Sequence, residues 1–168
     1  MNTDAEFRYA SAAGAILEVL AALRPVEKKS VAQHAVAHRL LQNTGGGYVG
    51  PFTHEIAPYL VEPMEQLTNR EVQTIAIAGP GQSGKTTIAE NWLLYSVDAD
   101  PGNLLWYMQS DDAVEAYVKG TINPMIDGHD ELRNKLGLRP VDDSLHFKRF
   151  RGMYVEFLSA TLKTLINK

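Results

Sequence analysis

Apolar side chains recur every three or four positions over several long stretches of this chain, and elsewhere they form short runs bounded by turn residues. The first pattern is typical of helices with one buried side, and the second is typical of buried strands. Helices are predicted over residues 5–23, 30–42, 59–67, 85–96, 111–126 and 129–136. Strands are predicted over residues 71–78, 104–109, 145–150 and 153–158.

The stretch from residue 71 to residue 109 has the order of a βαβ unit. A strand leads into a glycine-rich loop and a helix, and the sequence D-A-D-P-G at residues 98–102 predicts a turn before the next strand. Such units form parallel strands with right-handed crossovers. We therefore expect an α/β domain with a mainly parallel sheet, preceded by N-terminal helices.

The loop inside this unit has the sequence G-P-G-Q-S-G-K-T and fits the phosphate-loop motif G-x-x-x-x-G-K-[ST]. Its glycines let backbone N–H groups surround a phosphate, Lys85 offers a charge to the β- and γ-phosphates, and Thr86 offers a hydroxyl to Mg²⁺. An ordinary glycine-rich turn is the weaker interpretation, because the motif has both flanking elements. The residues predicted to bind ATP and Mg²⁺ are Gly79, Gly81, Gln82, Ser83, Gly84, Lys85, Thr86 and Thr87.

Composition restricts the class of protein. The chain has 168 residues, of which 45% are hydrophobic and 21% charged, as expected of one soluble globular domain. It has no cysteine, which excludes disulfides and thiolate metal sites, and its net charge of -4 argues against non-specific coating of nucleic acid. No apolar run is long enough to cross a bilayer and no signal peptide is evident, so we expect a cytoplasmic protein.

Other segments allow two interpretations each. Tyr48 lies in a glycine-rich loop and either covers an adenine or packs the loop down. His34 and His38 lie one helical turn apart, but without a third ligand in the sequence we favour ordinary helix histidines. The helix over residues 5–23 either packs on its own domain or docks on another subunit.

Two charged clusters also allow two interpretations each. Asp111 and Asp112 follow Ser110, and we favour helix capping over a carboxylate site for Mg²⁺. Basic residues alternate with aromatic ones in the predicted hairpin, a pattern that suits a nucleic-acid backbone and also occurs on ordinary solvated faces. The candidate contacts are Lys148, Arg149 and Arg151.

Several of these segments together resemble the large terminase subunits of tailed bacteriophages, of the lambda-like GpA type. The resemblance covers nearly the whole chain and depends on the order and spacing of its parts. These parts are the break at Arg24 and Pro25, the sequence Y-L-V-E-P-M at residues 59–64, the phosphate loop with Gln82, the helix and turn that follow it, the sequence N-P-M-I at residues 123–126, and F-K-R-F at residues 147–150.

The resemblance implies a P-loop ATPase related to helicase-type translocases, which drives double-stranded viral DNA into a capsid and is followed by a nuclease half. It implies that Tyr48, or alternatively Tyr59, packs the adenine, and that residues 1–29 form an arm that docks the small terminase subunit. The portal or capsid and further copies of the chain are the other implied partners. No membrane partner is expected.

This chain departs from the family pattern in two places. Gly79 stands where the family often has a basic residue, and the family's apolar strand ending in Asp-Glu, the Walker B strand, is expected after residue 168. We therefore expect residues 30–168 to be an incomplete ATPase domain that binds nucleotide, hydrolyses it weakly and does not cleave DNA. The alternatives are a self-contained P-loop ATPase or phosphotransferase that uses Asp111 or Asp112 for magnesium, and an assembly module that binds a partner through its N-terminal helix.

Overall fold

Helices and short strands are interspersed along the part of the chain that the computed structural model describes, namely Ile16 and residues 29–42 and 48–161. The α-helices are α1 (Val31–His38), α2 (Val61–Gln66), α3 (Lys85–Asp98), α4 (Asp111–Tyr117), α5 (Asn123–Gly128) and α6 (Asp130–Lys135). The strands are β1 (Leu40–Gln42), β2 (Val49–Pro51), β3 (Leu104–Met108), β4 (Phe147–Phe150) and β5 (Met153–Ser159). Short 3-10 turns cover Pro58–Leu60 and Pro140–Asp142, and a π-helical segment, Val118–Ile122, joins α4 to α5.

The larger sheet is mixed, and its strand order is β3-β5-β4. Strands β3 and β5 are parallel, with Leu104 opposite Val155, whereas β4 and β5 form the predicted antiparallel hairpin. The hairpin turns at Gly152, whose φ of +91° favours glycine. A separate antiparallel pair, β1 and β2, lies outside this sheet. The mixed α/β class is therefore as expected, whereas the mixed sheet of the described residues does not confirm a mainly parallel one.

The strand predicted over residues 71–78 is wrong for this structure. These residues form no strand, they pair with no other described segment, and Ile77 is 40% exposed. Strand β3 lies at an edge of the sheet, with no described strand on its outer side. An apolar run becomes a strand only where a neighbour satisfies its backbone groups, so the predicted βαβ unit lacks its first strand.

Helix α3 connects two hydrophobic cores. One core contains Leu93, Leu94 and Val97 of α3, packed against α4, α5 and the sheet. The other contains Ile88 and Tyr95 of the same helix, packed against α1 and α2. Because α3 has buried residues on both sides, it lies between the two cores.

Helix α1 begins as predicted and ends earlier. The hydroxyl of Ser30 accepts a hydrogen bond from the backbone of Gln33, and the side chain of Gln33 accepts one from the backbone of Ser30, which is a capping box. The helix stops at His38 instead of residue 42, because the following residues pair with β2. The predicted helix over residues 5–23 lies outside the described residues, apart from Ile16. None of the described helices has the length and apolar content that a membrane span requires.

Candidate functional site

The glycine-rich loop at residues 79–84 leads directly into α3, and two of its residues have positive φ angles. Gly84, the residue before the helix, has φ +76°, and Gln82 has φ +58°. A Cβ atom at Gly84 would lie 2.9 Å from Cδ1 of Leu60. Both its backbone conformation and the close approach of Leu60 therefore favour glycine at this position.

Lys85 folds back into the loop that precedes it. Its Nζ donates hydrogen bonds to the carbonyl oxygen of Gly79 at 2.9 Å, to the carbonyl oxygen of Pro80, and to Oγ of Ser83 at 3.2 Å. The Ser83 hydroxyl itself donates to the carbonyl oxygen of Pro80 at 3.0 Å. The ammonium group is thus held at the start of α3, and Thr86 follows it with an exposed side chain.

The N-terminal end of α3 has the properties of an anion site. Gly84 supplies no side-chain cap to the first backbone N–H groups of the helix. These groups, the positive end of a 14-residue helix and the Lys85 ammonium all favour negative charge at the same place. The residues present therefore fit a phosphate group.

Two cavities border the loop, and Tyr59 lines both. One, of about 580 Å³, is lined by Tyr59, Lys85 and the apolar residues 75–78. The other, of about 220 Å³, is lined by Phe52, Tyr59 and residues 82–84. The Tyr59 hydroxyl donates a hydrogen bond to the carbonyl oxygen of Ser83 at 3.2 Å. The structure thus brings Tyr59 against the loop, while its side chain remains 61% exposed.

Tyr48 lines a third cavity, of about 390 Å³, together with Thr87, Arg39 and Glu90. Thr87 also borders the 220 Å³ cavity, so the two spaces meet at this residue on α3. Tyr48 is 47% exposed and lines neither of the two cavities that border the loop. Of the two tyrosines, only Tyr59 has a described contact with residues 79–84.

The 390 Å³ cavity has a buried ion pair that sequence reasoning missed. Nη2 of Arg39 donates to Oε2 of Glu90 at 2.6 Å, and the Tyr117 hydroxyl donates to Oε1 at 3.0 Å. Burial raises the pKa of the Glu90 carboxyl, and the neighbouring Arg39 opposes that shift. Burial and Glu90 together raise the pKa of the Tyr117 phenol, which therefore stays protonated. No local sequence signal marks this triad, because its members come from three separate segments.

The basic hairpin is only partly exposed. Lys148 is 2% exposed, and its ammonium binds the Asp143 carboxylate and, at 2.8 Å, Oδ1 of Asn123. The Lys148 side chain is therefore buried in this structure, and its contact with nucleic acid stays a prediction. Arg149 and Arg151 are exposed, and Arg149 lies over the Phe147 ring with its guanidinium 5.3 Å from the ring centre. Arg149 also pairs with Asp142 at 3.1 Å.

Asp111 and Asp112 lie in the first turn of α4. The hydroxyl of Ser110 accepts a hydrogen bond from the backbone N–H of Ala113 at 3.2 Å, which is the N-cap interaction favoured from the sequence. Both aspartates are exposed, and neither lines a cavity that borders the loop. Their position is the ordinary one for acidic residues near the positive end of a helix.

Comparison with known proteins relates most of this chain to one family. The family model described as phage terminase large subunit gpA, ATPase domain, matches residues 46–168. This range includes Tyr48, Tyr59, the glycine-rich loop and the β4–β5 hairpin. No curated protein and no solved structure matches the chain.

Proposed function

The chain belongs to the family of phage terminase large subunit gpA ATPase domains, and we propose that it binds ATP with Mg²⁺ at residues 79–87 to drive the packaging of phage DNA. Membership in the family points to ATPase activity and to a role in DNA packaging. The position of Lys85 carries the more specific proposal, because its ammonium lies within the loop at the positive end of α3.

The proposed phosphate contacts follow from this arrangement. The backbone N–H groups of residues 81–86 and the Lys85 ammonium bind the phosphates, and the Thr86 hydroxyl binds Mg²⁺. Lys85 also stabilises the negative charge that develops when the γ-phosphate is transferred. ATP supplies the reactive phosphoryl group, and Mg²⁺ neutralises part of its charge. Because Gly79 offers no charge, Lys85 supplies the positive charge of the loop.

The nucleoside is proposed to lie on the Tyr59 side of the loop and to extend past Thr87 toward Tyr48. Tyr59 contacts Ser83 directly, and the apolar residues around it suit the face of a base. Tyr48 then covers the adjoining 390 Å³ cavity, which meets the Tyr59 side at Thr87. This order makes Tyr59 the nearer aromatic residue, although the resemblance gave Tyr48 first.

We propose that this chain hydrolyses ATP weakly. The two cavities that border the loop contain no Asp or Glu side chain among the described residues. Glu90, which lines the adjoining 390 Å³ cavity, is held by Arg39 and Tyr117 and does not activate a water molecule in this arrangement. We therefore expect this chain to bind ATP but to hydrolyse it slowly.

The partners are proposed from membership in the terminase family and from exposed basic side chains. Double-stranded DNA is proposed to contact Arg149 and Arg151, which are exposed, while Lys148 supports the hairpin from inside. Residues 1–29 are proposed to dock the small terminase subunit, with the portal or capsid and further copies of the chain as the other partners. Residues 30–168 would then form the ATPase unit.

The proposal is tested by replacing Lys85. A fluorescent ATP analogue is titrated into the wild-type chain, Lys85→Ala and a control, Lys119→Ala. Lys119 is an exposed lysine that pairs with Glu115 on the neighbouring helical turn. We expect Lys85→Ala to weaken binding at least ~100-fold, because a charge-assisted contact to phosphate is lost. The Lys119→Ala variant should bind as the wild type does. Equal affinity in the Lys85→Ala variant would contradict the proposed phosphate site.

A further inference from the structure

Two histidines and an aspartate meet on the side of α3 away from its N-terminal end. His34 and His38 lie on one face of α1, and Asp98 is the last residue of α3. One potential ligand atom from each of the three side chains lies within 4.8 Å of the others. Nε2 of His34 is 2.9 Å from Oδ2 of Asp98, and the two imidazole rings stack with centres 4.5 Å apart. The fold thus brings a third potential ligand, Asp98, to the two histidines.

We propose that His34, His38 and Asp98 bind a divalent transition metal ion of the zinc class. Two imidazoles and one carboxylate form a donor set that Zn²⁺ accepts, usually with a further ligand in the fourth position. Metal–ligand bonds of about 2.0–2.2 Å place tetrahedral ligands about 3.3 Å apart, so a small movement of His38 completes the set. Oε1 of Glu131 lies 3.6 Å from Nδ1 of His38 and can supply the fourth ligand.

A neighbouring lysine fixes the aspartate. Nζ of Lys135 donates to Oδ1 of Asp98 at 2.8 Å and to the carbonyl oxygens of Val97 and Asp98 at 3.1 and 3.0 Å. Lys135 therefore occupies one carboxylate oxygen and leaves Oδ2 to the histidine. Such an outer contact orients a ligating carboxylate.

The protein alone does not satisfy the His34 ring. His34 is 3% exposed, and its Nδ1 atom is buried without a hydrogen-bond partner among the described residues. The competing explanation is a metal-free network in which His34, Asp98 and Lys135 only stabilise the fold. An ion bound at Nε2, the ring atom that faces Asp98, would replace the hydrogen bond between His34 and Asp98 and would leave Nδ1 as it is. The metal titration therefore decides between the two explanations.

An ion at this place would link elements of both hydrophobic cores. Helix α1 belongs to the core around Phe52 and Met64, while α6, which carries Glu131, packs on the other core through Leu132. Because the ligands come from helices on both sides of α3, binding should stabilise the folded chain. The site does not involve residues 79–87, so it is independent of the nucleotide proposal.

The test is a titration with Co²⁺ and Zn²⁺ in the absence of nucleotide. The full chain, prepared without a histidine tag and treated with a chelator, is titrated with Co²⁺ while its visible absorption is recorded. We expect one Co²⁺ per chain, displacement by Zn²⁺, and a rise in Tm of about 5 °C with Zn²⁺ but not with Mg²⁺.

Two variants make the test specific. His38→Gln removes a half-buried ligand without breaking the contact between His34 and Asp98, and it should weaken Co²⁺ binding at least ~10-fold. His146→Gln removes an exposed histidine on another segment and should bind Co²⁺ as the wild type does. Absence of saturable binding by the wild type, or unchanged binding by His38→Gln, would overturn the proposal and leave the metal-free network as the explanation.

Discussion

At the scale of single residues, the candidate phosphate site depends on a backbone conformation that few side chains adopt. Gly84 combines φ +76° with a position at the start of α3, where its lack of a side chain leaves the first N–H groups uncapped. Gly81, in the same loop, has open space where a side chain would lie. The two glycines therefore serve the loop in different ways.

We predict that Gly84→Ala lowers the free energy of unfolding by about 1–2 kcal/mol, because a Cβ atom disfavours positive φ. The new Cβ would also meet Leu60. Urea denaturation measures the change, and Gly81→Ala is the control, since a Cβ atom at Gly81 would have no neighbour within 4 Å. Equal stability of the Gly84→Ala and wild-type chains would mean that the loop does not need this conformation.

At the scale of elements, local capping signals predicted helix starts better than apolar runs predicted strands. The capping box at Ser30 and the cap at Ser110 are both present, because a cap depends only on residues within one turn. The strand over residues 71–78 was wrong because pairing depends on distant segments. The end of α1 was missed for the same reason, since it is set by pairing between β1 and β2.

In the candidate site, too, local motifs could be read from the sequence, whereas contacts between distant segments could not. Residues 79–86 were proposed from their motif alone, and in the structure Lys85 folds back into the loop. Two buried contacts could not be found, because Glu90 lies 51 residues after Arg39 and Asp98 lies 64 residues after His34. The burial of Lys148 was missed because its partners, on α5 and ahead of β4, are not adjacent to it in sequence.

The acidic start of α4 provides a prediction at this scale. Changing Asp111 and Asp112 together to Asn should leave ATP binding unchanged and reduce stability less than Ser110→Ala, which should cost about 1 kcal/mol. The reason is that the aspartates only interact favourably with the positive end of the helix, whereas the Ser110 side chain accepts the capping hydrogen bond itself. Thermal denaturation and nucleotide titration measure both effects. Loss of magnesium-dependent nucleotide binding in the double variant would instead support a magnesium role for these carboxylates.

At the scale of the whole molecule, buried histidines make stability depend on pH. His129 joins α5 to β1, because Nδ1 donates to the carbonyl oxygen of Met125 at 2.6 Å and Nε2 accepts from the N–H of Leu40 at 2.9 Å. Burial lowers the pKa of His129; Arg39 adds to this effect, while the backbone contact and Glu131 oppose it. Protonation of Nε2 would break the bond from Leu40.

We therefore predict that the free energy of unfolding falls as pH decreases from about 7.5 toward about 5.5. The unfolded chain binds a proton at His129 near the ordinary pKa of about 6.5, whereas the folded chain resists it, so acid favours unfolding in this window. His34, whose pKa is also lowered by burial, contributes in the same direction. Urea denaturation at several pH values, with a chelator present, measures the slope.

The matched variants for this slope are His129→Gln and His146→Gln. His129→Gln should reduce the pH dependence, while His146→Gln, at an exposed position, should keep it. An unchanged slope in His129→Gln would show that this residue does not link acid to unfolding.

Binding of the ATP phosphates by residues 79–87 is tested most directly by amide chemical shifts. Mg²⁺ and ATP are added to the ¹⁵N-labelled chain, and the ¹H–¹⁵N correlation spectrum is compared with the spectra obtained with adenosine and with Mg²⁺ alone. We expect saturable shifts at the amides of Gly81, Gly84, Lys85 and Thr86 that ATP produces and adenosine does not. Equal shifts with adenosine, or shifts that leave these amides unchanged, would contradict phosphate binding at this loop.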